Sequence, residues 1–187
     1  MSLHAGETRD QLTQNIDIFP TILDYHNVPC SNPVTGLSWK DTLENNADME
    51  RKGVIYGWFG KTVNVTDGEY TYFRAPVRKD NQPLNRYFLM PTILSFHKYP
   101  EKEFFANATI GNFLPYTDYP VIRSKCDNNN ALFPNNLHDN QLYNIKTDYQ
   151  QEQNIVVSEK ESEYISLLKD VMLQADTPLE QFDRLGI

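Results

Sequence analysis

The sequence predicts an α+β fold, in which a small antiparallel sheet of about four strands is packed by a C-terminal helix. Three observations predict it. From Gly53 the pattern turns strand-like through "VIYGWFG", "KTVNV" and "EYTYFRAPV", runs rich in β-branched and aromatic residues. Thr66-Asp67-Gly68 separates the last two, and Asp-Gly between alternating β-formers is a strong hairpin signal. Later, "SEKESEYISLLKDVMLQAD" places Tyr164, Leu167, Leu168, Val171 and Met172 in one apolar stripe at helical spacing.

The first element is "NIDIFPTILDYHNVP", Asn15 to Pro29. Ile16, Phe19, Ile22 and Leu23 recur at helical spacing, yet Pro20 stands among them, where a helix interior would lose a hydrogen bond. With Asp17 as N-cap, Pro20 falls in the first turn, where its missing N–H has no partner to lose. The helix then runs from Ile18 to Tyr25 and ends at Asn27 and Pro29. A short amphipathic piece follows, Leu37 to Asn45, with Leu37, Trp39 and Leu43 on one side, and then the Asn-rich link "NNADMERKG".

In the predicted meander, Val54 to Arg74, Val63 and Val65 face one side. "NRYFLMPTILSF" adds a strand from Tyr87 to Met90, closed by Pro91. Tyr99 to Asp139 reads as irregular, with Pro100, Pro115, Pro120, Pro134 and the run Asn128-Asn129-Asn130; loops of this length in a compact domain usually serve a function or lie over another surface. "QLYNIKTD", Gln141 to Asp148, is a short strand ending in a turn. Ser158 and Glu161 form a capping-box pair at the start of the long helix, and Thr177 with Pro178 opens a last helix ending at Leu185.

The 187 residues suffice for one sizeable core and not for two full domains. With 25 acidic and 17 basic side chains the net charge is −8, which repels phosphate backbones, so nucleic acid is not an expected partner. No apolar run approaches the ~20 residues of a membrane span, and the first residues lack the basic and apolar regions of a signal peptide. No membrane association is expected, and a bacterial cytoplasmic location is favoured. Met1-Ser2-Leu3 reads as a cloning leader. Cys30 and Cys126 are too few for a disulfide scaffold and have no CxxC spacing.

Four segments, in order, resemble the C-terminal part of sulfatases of the alkaline-phosphatase superfamily: "LTQNIDIFPTILDYHNVP", "GVIYGWFGKTVNVTDGEYTYFR", "NQLYNIKTDYQQEQNI" and "TPLEQFDRLGI". The first is similar to the family's Asp-x-x-Pro-Thr helix, the third to its "LYDL..DP.E..N" strand and turn. The resemblance spans most of the chain and is weakest between Tyr99 and Asp139. It implies that residues 4–50 are the end of a catalytic core and that 51–187 are the C-terminal subdomain, whose antiparallel sheet and terminal helices dock on an alkaline-phosphatase-like α/β fold. The implied partners are the chain's own N-terminal catalytic domain and a second copy.

In that family a Cys or Ser in Cys/Ser-x-Pro-x-Arg becomes a formylglycine nucleophile beside a divalent cation, calcium by preference, held by aspartates and an Asn or His. A metal is needed there to neutralise sulfate oxygens and activate the nucleophile. Cys30-Ser31-Asn32-Pro33 fails the motif, since the proline is one place late and Val34, Thr35 and Gly36 follow in place of an arginine. His4, His26, His97 and His138 share no metal-ligand spacing, and no Gly-x-Ser-x-Gly elbow is present. The chain by itself is therefore expected to lack a nucleophile, a metal and a cofactor, and to complete the fold of a sulfuric ester hydrolase.

Its expected site residues are His97, Lys98 and Arg123, on the rim of a pocket for an anionic ester. Two alternatives remain. The same late segments fit a phosphodiesterase or phosphonate monoester hydrolase of the superfamily. An autonomous carbohydrate- or protein-binding module would instead present the aromatics Tyr56, Trp58, Phe59, Tyr70, Tyr72 and Phe73, although at strand spacing these suit a core or an interface. Asn64-Val65-Thr66 and Asn107-Ala108-Thr109 are glycosylation sequons, a triplet common by chance.

Overall fold

The predicted meander is present, in a computed structural model that describes residue 4 and residues 6–31, 34–89, 106–126 and 139–187. The chain divides into two compact units. The first comprises Met1–Tyr56, Asn64–Phe73 and Gln141–Ala175; the second comprises Gly57–Val63, Arg74–Asn140 and Asp176–Ile187.

In the first unit, strands β1 (Val54–Gly57), β2 (Val63–Thr66), β3 (Tyr70–Arg74) and β7 (Gln141–Asn144) form one antiparallel sheet in the order β1-β2-β3-β7. Thr71 stands opposite Tyr143 and Tyr72 opposite Leu142. The β2–β3 turn is built by its own polar side chains. Asp67 Oδ1 accepts from the amides of Glu69 and Tyr70 at 2.9 and 2.8 Å, and Gly68 takes φ +92°, a region that favours glycine.

The long helix α3 (Ser158–Gln174) packs on this sheet with the predicted stripe. Tyr164, Leu168, Val171 and Met172 are buried with Val65, Tyr72 and Leu142, each apolar side chain contributing roughly 1.5–3 kcal/mol of burial. Tyr164 lies beside Tyr70 and Tyr72, with ring centroids 5.8 and 6.4 Å away. The N-cap is Val157, and Glu161 accepts from the Tyr72 hydroxyl at 2.8 Å, a bond between helix and sheet; the side chain of Ser158, the other half of the predicted capping box, lies outside the described residues. After β7, Asn154 Oδ1 accepts from the amide of Leu142 at 3.0 Å, which folds the "TDYQQEQN" turn back onto the strand.

The second unit departs from the sequence reading. A separate sheet, β4-β6-β5, joins β4 (Asn85–Phe88), β5 (Ala108–Gly111) and β6 (Val121–Lys125), all antiparallel. The strand expected at Tyr87–Met90 is therefore β4, starts two residues earlier and belongs to this sheet; Met90 lies outside the described residues. The region read as irregular from Tyr99 to Asp139 holds two strands. They were hidden because Pro115 and Pro120 flank runs of only four and five residues.

Helix α4 (Leu179–Leu185) closes this unit, with Pro178 as N-cap, one place later than predicted. Its Arg184 is buried at 1% exposure, and donates from Nε to Asn81 Oδ1 at 2.9 Å, from a terminal nitrogen to Gln181 Oε1 at 3.2 Å, and to the Lys61 carbonyl. Burial pushes the Arg184 guanidinium down to about 10. Among the described residues no helix is long and apolar enough to cross a membrane.

Candidate functional site

Helix α1 spans Ile18–Tyr25 as predicted, after a short 3-10 turn at Asn15–Asp17. Pro20 occupies its first turn, where no intrahelical hydrogen bond is lost. Asp17 precedes the helix, but its carboxylate does not cap the helix amides. It is fully buried and collects donors from three other segments instead.

Its Oδ1 accepts from the Leu37 amide at 2.9 Å and from Arg51 at 2.7 Å. Its Oδ2 accepts from the Gln14 amide at 2.7 Å, from the Trp39 indole at 3.2 Å and from the other Arg51 terminal nitrogen at 2.6 Å. Burial alone would raise this carboxyl, but the hydrogen bonds from Arg51, Leu37, Gln14 and Trp39 override it and hold it well below the usual carboxylate range. Arg51 also donates to the Leu12 carbonyl at 3.2 Å. Thr21, one turn on, donates to the Asp17 carbonyl at 2.6 Å and accepts from the Trp39 amide at 2.9 Å. Gly36 lets this strap close, since a Cβ there would stand 2.2 Å from the Ile16 carbonyl oxygen.

The consequence is an inverted helix. Its polar Thr21 is 7% exposed, whereas Phe19 and Ile22 are each 52% exposed, and Ile16, Ile18, Tyr25 and Val28 are exposed with them. Leu37 and Leu43 behave likewise: α2 (Lys40–Asn45) buries Thr42, and the predicted side of Leu37, Trp39 and Leu43 is not its inward face. The apolar spacing of α1 is thus correctly read as helical but does not mark a core-facing stripe. These apolar side chains are left open to solvent on the outer side of α1.

Of the expected rim residues, Arg123 is on the centre strand β6, half-buried, with its guanidinium 4.0 Å from the Phe113 ring centroid. His97 and Lys98 lie outside the described residues. Sequence reasoning missed the companions of Arg123, namely Tyr87, Thr109 and Lys125, because the run "VIRSK" has no apolar/polar alternation to mark its strand.

Among the described residues no three His, Cys, Asp or Glu side chains gather as metal ligands. Asp67 is occupied by its turn and by the Tyr164 hydroxyl, which donates to its Oδ2 at 2.6 Å. His4 lies 3.1 Å from Glu7, and His26 follows the last residue of α1. Cys30 is exposed and Cys126 buried, neither in a disulfide. Among the aromatics of the meander, Phe73 meets Tyr56 and Tyr143 edge-on at 6.2 and 5.9 Å and Tyr72 is buried, while Tyr56, Trp58 and Phe59 are exposed. No protein-family model and no curated protein matches the chain.

Proposed function

We propose that this chain is the C-terminal region of a sulfatase-like sulfuric ester hydrolase, and that its work is to complete a catalytic core supplied by preceding residues. The observation that carries the reading is the inverted helix α1: its apolar residues face outward while Asp17 and Thr21 are buried. The order of the four resembling segments supports it, and so does the antiparallel four-stranded sheet under helix α3. In this reading the apolar face of α1 seats on the core.

The nucleophile and the divalent cation belong to the core. The residues of this chain do not fit them, since Cys30 lacks the proline and arginine of the motif and no ligand cluster exists among the described residues. Hydrolysis of 4-nitrophenyl sulfate tests the proposal. The chain alone turns over none, and the same chain continuous with its upstream half does so. Turnover by the purified chain alone overturns the reading. Hydrolysis of phosphate diesters in place of sulfate esters by the longer protein moves it to the phosphodiesterase branch.

A further inference from the structure

The three-stranded sheet carries a polar row that core packing does not explain. Arg123 stands opposite Tyr87 on one side and opposite Thr109 on the other. Residues directly opposite share a sheet face, as do residues two apart along a strand, so Lys125 and its partner Asn85 lie on that face too. The Phe113 ring holds the Arg123 guanidinium over its face, 4.0 Å from the ring centroid. Among the described residues the Arg123 side chain makes no hydrogen bond and no ion pair.

The carboxylate near this row is engaged through one oxygen. Glu180 accepts from Asn85 at 2.6 Å through Oε2, while its Oε1 is buried without a hydrogen-bond partner of good geometry. Burial first, and then Glu180, push the Tyr87 hydroxyl well above the usual phenol range, whereas Arg123 acts in the opposite direction. Two cations on one sheet face, one with a guanidinium held on a ring and otherwise unused, stand out in a chain of net charge −8.

We infer that this sheet face is an oxyanion receptor, in which the Arg123 fork, with Lys125 and the Thr109 hydroxyl beside it, takes the tetrahedral oxyanion of a sulfate or phosphate monoester. A guanidinium matches two such oxygens with two parallel N–H donors. The receptor stands on its own geometry and takes only its choice of ester from the preceding reading.

The test titrates 4-nitrophenyl sulfate and 4-nitrophenyl phosphate separately into the full ¹⁵N-labelled chain at low salt. Saturable shifts at Thr109, Arg123 and Lys125 are expected. Arg123→Gln weakens binding roughly tenfold or more, and Arg123→Lys recovers part of it. Glu180→Gln, which removes the nearby negative charge, tightens it. Preference for either ester supports the receptor and separates its two sources. The same spectrum reports whether Arg123→Gln is folded; if it is not, Thr109→Val and Arg123→Lys must each weaken binding.

Absence of saturable shifts, shifts centred elsewhere, or unchanged binding in the folded Arg123→Gln variant overturns the inference. Aryl sulfate turnover by the longer protein is read independently. Turnover without binding at this face overturns the receptor alone, and binding without turnover overturns the sulfatase reading alone.

Discussion

Arg51 grips Asp17 with both terminal nitrogens, at 2.6 and 2.7 Å, in a pair whose side chains are 8% and 0% exposed. The two residues are 34 positions apart, and their contact sets the roll of helix α1. Because Arg51, Trp39 and the Leu37 amide all bind on the Asp17 side of the helix, that side turns inward and Phe19 and Ile22 turn out. Breaking such a buried, bidentate pair on one side only leaves an uncompensated charge inside the fold.

Removing one partner should therefore destabilise strongly. Asp17→Ala or Arg51→Ala is expected to cost about 3–5 kcal/mol in chemical denaturation, since each leaves the other charge buried and unpaired. A cost under about 1 kcal/mol would mean that the pair is solvated.

The same pair fixes the direction of an acid limb. The folded-state pKa of Asp17 is depressed below its ordinary 3.8, so its stabilisation is full above that value and is lost as pH falls below it towards the folded pKa. The slope of melting temperature against pH below 3.8 should be shallower in Asp17→Asn than in the parent chain, measured by circular dichroism.

The exposed face of α1 should be dispensable for folding and needed for docking. Phe19→Ser with Ile22→Ser is expected to shift stability by no more than roughly 0.5 kcal/mol per site. The parent chain is expected to self-associate with rising concentration in sedimentation velocity, and the double variant to stay monomeric. Loss of the folded spectrum would show instead that this face packs internally.

In the second unit, Arg184→Leu should cost about 3 kcal/mol or more, because the Asn81 and Gln181 side-chain oxygens and the Lys61 carbonyl all lose their donor. Equilibrium unfolding in urea measures it.

The two sequons should behave differently in a host that glycosylates. Asn64 is buried in β2 and Asn107 is exposed just before β5. Expression through a secretory pathway is expected to modify Asn107 and spare Asn64, as read by peptide mass after glycosidase treatment.

Much of the first unit was legible because local signals agreed with tertiary context. Asp67-Gly68 made the hairpin, and the Tyr164 to Met172 stripe met the sheet as its period required. Pro20 gave the register of α1 for the same reason, a single backbone constraint with one solution. The roll of α1 was not legible, since it is decided by Arg51 at long range. Nor was the second sheet: β5 and β6 are short, lie between prolines, and are held by pairing with β4 rather than by any strong periodicity of their own. Arg123 stands out as a cation of the sequence, but nothing local places Tyr87, Thr109 and Lys125 beside it, because that depends on the pairing of β6 with β4 and β5.

The central claim is that this chain completes a catalytic core, and the most direct measurement is the coding sequence upstream of His4. The account predicts an open reading frame that continues upstream and carries Cys/Ser-x-Pro-x-Arg, with aspartates able to hold a divalent cation. A start codon with no such sequence before it would contradict the account and leave the outward face of α1 to a different partner.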